Sequence, residues 1–255
     1  MTVLKFTSPQ QRTLAYRKLD GSPDRPGLVW LSGFKSDMQG TKVVALEAWA
    51  EREGLSFLAF DYSGHGQSGG DFADGTISAW RDDSLAAIDA LTEGPQVLVG
   101  SSMGGWMALL AALARPERVA GLVLIAPAPD FTQKLMWPEF SPEAQREIME
   151  AGVHLRPSEY GDPYPITRDL IEDGRQWQLL GAPIPFKGPV RILQGMVDPD
   201  VPWTHAQQLV DAITSDDLVF TLIKDGDHRL SREVDIARLL AVCAEAVTAS
   251  TAAAT

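Results

Sequence analysis

The chain has a single cysteine among its 255 residues. Cys243 therefore has no partner for an internal disulfide, which fits a reducing compartment, and a cytoplasmic protein is expected. It stands in an Ala-, Leu- and Val-rich segment and reads as a small core residue. Histidine is scarce too, with four residues, and no Cys/His grouping has the spacing of a zinc site. Neither a metal nor any other cofactor is expected. Positive charge is also in deficit: 22 Lys and Arg stand against 34 Asp and Glu, a formal net charge of −12. A phosphate backbone needs cations to neutralise it, so nucleic acid is disfavoured as a partner. The same deficit works against docking on anionic membranes. No apolar run is long enough to span a bilayer, and Met1-Thr2-Val3-Leu4-Lys5-Phe6 lacks a signal-peptide core, so stable membrane insertion is not expected. There are no internal repeats.

What is present is a steady alternation of strand-like and helix-like segments, in enough chain for one α/β domain over residues 1–255. Strands are expected near Val3–Thr7 and Thr13–Lys18, antiparallel to each other, then at Leu28–Leu31, Leu55–Asp61, Val97–Gly100, Val119–Ala126, Val190–Gln194 and Leu218–Ile223. Helices are expected over Thr41–Arg52, from a cap at Thr76 or Ser78 to Leu91, over Gly104–Ala114, after Pro202 and from near Ser231. This pattern predicts a mostly parallel central sheet with helices on both faces. From about residue 130 to 188 the alternation breaks. That stretch is rich in Pro, Trp, Met and charge, with a helix start at Ser141-Pro142-Glu143 and a second short helix over Ile166–Asp173. It reads as a helical insertion forming a lid. The closing Thr/Ala tract, residues 246–255, reads as a fraying end.

Gly100-Ser101-Ser102-Met103-Gly104 is the most informative stretch. It has the G-x-S-x-G form of a turn that holds a serine nucleophile between a strand and a helix. Its flanks agree, with apolar Gln96-Val97-Leu98-Val99 before it and an Ala/Leu-rich run after it. A strand that reverses sharply into a helix leaves no room for side chains beside the nucleophile, which explains the glycines. Ser102 is the expected nucleophile. Ser101, one place before the centre, should point elsewhere. The helix start offers N–H groups to a developing negative charge, with that of Met103 as one oxyanion donor.

A serine nucleophile of this kind needs an acid and then a histidine, later in the chain and at the ends of later strands. Asp198 stands four residues past Val190–Gln194 on a Gly- and Pro-rich loop, with Asp200 as the alternative acid. His228 follows Leu218–Ile223 across the turn Lys224-Asp225-Gly226-Asp227 and is the expected base. His65, in Gly64-His65-Gly66, reads as structural or pocket-rimming. His154 falls in the lid and is placed to touch substrate, and His205 reads as a solvated or packing residue. The second oxyanion donor is expected from the loop Ser32-Gly33-Phe34-Lys35, through the N–H of Phe34.

The order and context of these motifs resemble the α/β-hydrolase fold. Within it, Leu31-Ser32-Gly33-Phe34-Lys35-Ser36-Asp37-Met38-Gln39-Gly40-Thr41-Lys42, Phe60-Asp61-Tyr62-Ser63-Gly64, Gly94-Pro95-Gln96-Val97-Leu98-Val99-Gly100-Ser101-Ser102, Pro183-Ile184-Pro185, Pro189-Val190-Arg191 and Asp227-His228-Arg229 are similar to the group of abhydrolase domain-containing protein 10. The likeness runs from Leu28 to about Arg229. It implies hydrolysis of acyl esters and thioesters, with acyl-glucuronide cleavage and removal of palmitoyl groups from cysteines in animal members. Two departures stand out. No mitochondrial targeting extension is expected, and Gln194-Gly195 replaces the His-Gly that relatives often carry. Ser32-Gly33 also stands where many such enzymes have His-Gly, a change that leaves the backbone donor in place.

The expected function is therefore a serine esterase or thioesterase acting through an acyl-enzyme, as an acyl-protein thioesterase or an acyl-glucuronide esterase, on a small-molecule or lipidated acyl substrate. Met136, Trp137, Phe140, Trp177, Leu179 and Leu180 are candidates for an apolar wall around the acyl group, or for the lid's own small core. The alternatives are other chemistry on the same fold, as a serine peptidase, perhydrolase or carbon–carbon hydrolase, and a non-catalytic binding protein. Nothing in the sequence sets the oligomeric state.

Overall fold

Two strands open the fold, β1 (Leu4–Thr7) and β2 (Thr13–Leu19), and they pair antiparallel, with Leu4 opposite Tyr16. Strand and helix then alternate as β3 (Gly27–Leu31), α1 (Thr41–Glu53), β4 (Phe57–Phe60), α2 (Ile77–Leu91), β5 (Gln96–Ser101), α3 (Met103–Ala114) and β6 (Val119–Ile125). An insertion follows, with α4 (Pro142–Ala151), a hairpin of β7 (Val153–Arg156) and β8 (Tyr164–Thr167), and α5 (Arg168–Gly174). The alternation resumes with β9 (Val190–Gly195), α6 (Trp203–Ala212), β10 (Leu218–Ile223) and α7 (Glu233–Ala253). The computed structural model describes residues 2–157 and 163–253. Residues 158–162 of the expected lid and the last two residues of the Thr/Ala tract lie outside the described residues.

The sheet has eight strands in the order β1-β2-β4-β3-β5-β6-β9-β10. The pairs β1/β2 and β2/β4 are antiparallel, and the rest are parallel. Successive side chains on a strand face opposite ways, and the core divides accordingly. Val29, Leu31, Leu98, Leu122 and Leu124 point into a layer with Trp80, Trp106, Met107 and Leu209 of α2, α3 and α6. Leu28, Trp30, Val97, Val99 and Val123 point into the opposite layer, with Val43, Leu46 and Ala50 of α1 and Leu239, Cys243 and Val247 of α7. Cys243 is fully buried there, and burial pushes its thiol up, which leaves it an inert packing residue.

Local chemistry sets the helix starts. Thr76 rather than Ser78 caps α2, its hydroxyl accepting from Ala79 N at 3.1 Å, and Ser141 caps α4 ahead of Pro142. The sequence reading missed the hairpin and began a helix at Ile166. Ile166 instead pairs with His154 across the hairpin, and the Thr167 hydroxyl, accepting from Leu170 N at 3.1 Å, starts α5 two residues later, at Arg168.

Candidate active site

The parallel register brings four strand ends to one edge. Ser101 is level with Ile125, Ile125 with Leu193, and Leu193 with Thr221, so the loops after β5, β6, β9 and β10 leave the sheet side by side. Ser102 sits on that edge with φ 55° and ψ −119°, a strained conformation for a serine. Its backbone is held on both sides: its N–H donates to Ile125 O at 2.9 Å, and its carbonyl accepts from Gly105 N at 2.9 Å and Ala128 N at 3.1 Å. The helix after it packs hard against β3, since a Cβ on Gly104 would lie 1.9 Å from Leu31 O. Only glycine fits there, which accounts for the last residue of the G-x-S-x-G turn. A Cβ on Gly33 would lie 3.4 Å from Ser102 Cβ, so the Ser32–Lys35 loop runs directly beside the serine.

Asp198 and His228 meet from neighbouring loops. His228 Nδ1 lies 2.8 Å from Asp198 Oδ2. A carboxylate can only accept, so Nδ1 carries a proton, and in the neutral ring Nε2 is the nitrogen with the lone pair. The Asp198 carboxylate is fully buried, and backbone N–H groups of Asp200 and Val201 donate to its Oδ1 at 2.9 and 2.8 Å. Gln194 Nε2 donates to Oδ2 at 3.2 Å and also reaches the carbonyls of Gly195 and Val201. The Gln194 departure noted in the sequence therefore ties the acid's loop together. Asp200 is exposed, yet its carboxylate, that of Asp198 and a His228 ring nitrogen lie within 4.8 Å of one another. This is the one grouping of three potential metal ligands found among the described residues. Both Asp198 oxygens already accept from N–H donors, among them the His228 ring.

Lys42 of α1 reaches the loop that carries His228. Its Nζ donates to the carbonyl of Arg229, the residue after His228, and burial lowers its pKa to about 8. The Lys–Arg contact spans 187 positions, so no local pattern announces it.

The other histidines are each accounted for. His65 is buried between the Ser63 carbonyl and the Lys35 N–H. His205 is buried, not solvated, with Nε2 donating to Pro129 O at 2.8 Å, and burial lowers its pKa. His154 pairs with Glu147 Oε2 at 2.8 Å and packs edge-on against Phe140.

Phe34 stands on the loop beside Ser102, and Met103 is the first residue of α3, where the N–H has no partner within the helix. The Met103 side chain is fully buried in the core, and the Ser101 side chain is largely buried as well. The candidate wall residues are engaged in packing. Met136 and Leu180 are buried, and Trp137 meets Phe140 edge-on at 6.4 Å. Leu179 packs against the same cluster, and Trp177 donates its indole N–H to Ser78 Oγ at 2.8 Å under Arg81. Sequence reasoning overlooked a second aromatic group. The Phe34 ring touches Phe72, Phe131 and Tyr164, at centroid separations of 5.0, 5.6 and 6.3 Å. It joins the loop beside Ser102 to the start of the insertion and to β8. The position of Phe34 was its only sequence signal.

Comparison with known proteins places these features in context. The family model described as serine aminopeptidase, S33, matches residues 25–173. The mouse palmitoyl-protein thioesterase ABHD10, mitochondrial, is 43% identical over 231 residues, covering 89% of this chain and 76% of that protein. The solved structure of mouse α/β-hydrolase domain-containing protein 10 superposes with a TM-score of 0.87 at 38% identity, over 96% of this chain and 98% of that one. A solved structure from Agrobacterium vitis S4 gives a TM-score of 0.92 at 43% identity, with the same coverage.

Proposed function

The chain belongs to the ABHD10 branch of the α/β-hydrolase family, and from that premise we propose that it is a serine hydrolase cleaving carboxylic esters or thioesters through an acyl-enzyme. The observation that carries this reading is the Asp198–His228 hydrogen bond, on loops leaving the same sheet edge as the strained Ser102. His228, oriented by Asp198, takes the Ser102 proton through Nε2 as Oγ attacks the acyl carbonyl. The N–H groups of Phe34 and Met103 receive the oxyanion. His228 then returns the proton to the departing alcohol or thiol, and water cleaves the acyl-enzyme by the same route. No step requires a cofactor.

The substrate class follows from the relatives. Mouse ABHD10 is named a palmitoyl-protein thioesterase, and on that likeness a medium or long apolar acyl group is the substrate portion we assign. Acyl glucuronides and S-acylated proteins share that portion and differ in the leaving group. No helix among the described residues is long and apolar enough to cross a membrane. A lone buried thiol suits a cytoplasmic enzyme and equally a mitochondrial one, the compartment in the relatives' names.

The test joins fluorophosphonate labelling to a hydrolysis panel. Labelling and turnover should both vanish in Ser102→Ala; retention of either removes Ser102 as nucleophile. With p-nitrophenyl esters and acyl thioesters from acetyl to palmitoyl, each buried methylene contributes about 0.8 kcal/mol, so kcat/KM should rise roughly fourfold per CH₂ until the site is full. Trp137→Ala and Trp177→Ala should shift the preferred length. Acetyl as the best substrate in all three proteins would overturn the long-chain assignment and leave the serine hydrolase standing. Aminoacyl p-nitroanilides, included because the matched family is described as an aminopeptidase, should be the poorest substrates.

A further inference from the structure

His65 lies on the tight loop after β4 and is 4% exposed. Tyr62, Phe72 and Trp80 frame its ring edge-on, at centroid separations of 5.6, 5.1 and 5.2 Å. Two polar contacts complete its surroundings. Nδ1 lies 3.2 Å from the Ser63 carbonyl, and Nε2 lies 3.2 Å from the backbone nitrogen of Lys35. A carbonyl can only accept and a backbone N–H can only donate. The ring is therefore neutral, with its proton on Nδ1 and a lone pair on Nε2 aimed at Lys35. Burial supports the same state and holds the ring's pKa down at about 4, with the Lys35 charge adding to the effect and Asp37 opposing it.

The partner of that lone pair matters. Lys35 has φ 57°, a left-handed conformation that a residue with a Cβ disfavours. The peptide that supplies its N–H begins at the Phe34 carbonyl, so fixing its plane fixes the C-terminal side of Phe34. On the other side, Ser36 N donates to Gly33 O at 3.1 Å and closes the turn. Phe34 is held between these two bonds. Without the His65 acceptor, Lys35 can relax to negative φ and carry the Phe34 peptide away from Ser102.

We propose that His65 is a positioning residue for oxyanion stabilisation, its neutral ring holding the Gly33–Lys35 loop so that the Phe34 N–H faces the substrate carbonyl. This rests on the reading of Phe34 as an oxyanion donor to a Ser102 adduct. Losing one such donor outright costs roughly 10²–10³-fold in rate. His65→Leu, which fills the space without an acceptor, should lower kcat by about 10–100-fold with KM little changed. His65→Gln, whose Oε1 reaches as far as Nε2, should recover kcat to within a few-fold of wild type. Affinity for a trifluoromethyl ketone that forms a tetrahedral adduct should fall in His65→Leu by the same factor as kcat/KM.

A ring that only packs predicts the reverse order, with Leu at least as active as Gln, and that result overturns the proposal. Ser102→Ala is run alongside. If it keeps full activity, the underlying reading fails first. If it is inactive while His65→Leu is fully active, only the role of His65 fails. Should the Leu variant not fold, ¹⁵N NMR of wild-type histidines decides. An unprotonated Nε2 with no titration from pH 8 to 5 is the expected signature, and a ring titrating near pH 6.5 refutes it.

Discussion

Asp130 offers the sharpest test of how the insertion is tied to the sheet. The residue is fully buried at the start of the insertion and has φ 58°. Its Oδ1 accepts from Leu179 N at 2.7 Å and its Oδ2 from Leu180 N at 2.9 Å, near the insertion's far end. One carboxylate thus joins two points about 50 positions apart. Burial pushes its pKa up against the lowering effect of those two N–H donors, so part of their gain offsets desolvation. Hydrogen bonds to a charged group contribute about 1.5–3 kcal/mol each, and after that offset a net loss of about 3 kcal/mol is expected for Asp130→Ala. Asp130→Asn retains one acceptor, turns an NH₂ towards the other N–H, and tolerates positive φ, so it should fall between Ala and wild type. Asp130→Gly relieves the φ strain and should be about 1 kcal/mol more stable than Ala. Urea unfolding gives the global values. Hydrogen exchange at Leu179 and Leu180 gives the local one, where 3 kcal/mol corresponds to roughly 10²-fold faster opening. An Ala variant within 1 kcal/mol of wild type and with unchanged exchange would show that the staple does not hold the insertion.

His65 makes folding pH-dependent with a definite sign. Its folded pKa is depressed to about 4 from 6.5, so its contribution is complete above pH 6.5 and is lost as pH falls through 4, by up to about 3 kcal/mol. Asp61 and Asp130, whose carboxyls are raised by burial, work in the opposite direction, so the measurement is the stability gap between wild type and His65→Gln at pH 7 and pH 4; a constant gap refutes the linkage. Asp198→Asn turns an amide towards His228 and should lower kcat/KM by about 10³–10⁴-fold, while Asp200→Asn should stay within a few-fold. The acid assignment is falsified if those two results are exchanged.

The parts of the site that were legible in the sequence share one property: each is announced by its own neighbours. Ser102 has an apolar strand before it and glycines around it. Asp198 and His228 each follow a strand across a short turn. The sheet did the remaining work, because parallel strands align their C-terminal ends whatever the loops contain. What was not legible depends on partners far along the chain. His65 and Lys35 are 30 positions apart, and Asp130 and Leu180 are 50. No periodicity marks either pair. The hairpin of β7 and β8 was hidden for another reason. Its strands have only four residues each, too short to reveal a strand, and in β7 the apolar residues Val153 and Leu155 of the alternation are the exposed ones.

The placement of backbone strain connects these two groups. Six non-glycine residues among those described have positive φ: Gln11, Lys35, Ser102, Ala126, Asp130 and Leu230. All but Gln11 follow the C-terminal ends of β3, β5, β6 and β10, the edge that carries Ser102. Strain of order 1–3 kcal/mol per residue persists only where the surroundings over-determine the backbone. The surroundings here are identifiable. Ile125 O and Ala128 N hold Ser102, Leu193 O holds Ala126, and the Asp227 carboxylate holds Leu230 through its N–H. His65 holds Lys35, and the insertion holds Asp130. Lys35, Ser102 and Ala126 are thus fixed by elements other than their own, Asp130 by the far end of the insertion and Leu230 within its own loop. That arrangement is what a preorganised site requires, because donors and base must already face the developing charge before the reaction begins. It also explains why Ser102, Asp198 and His228, the proposed nucleophile, acid and base, carry local motifs while the residues that hold their loops do not.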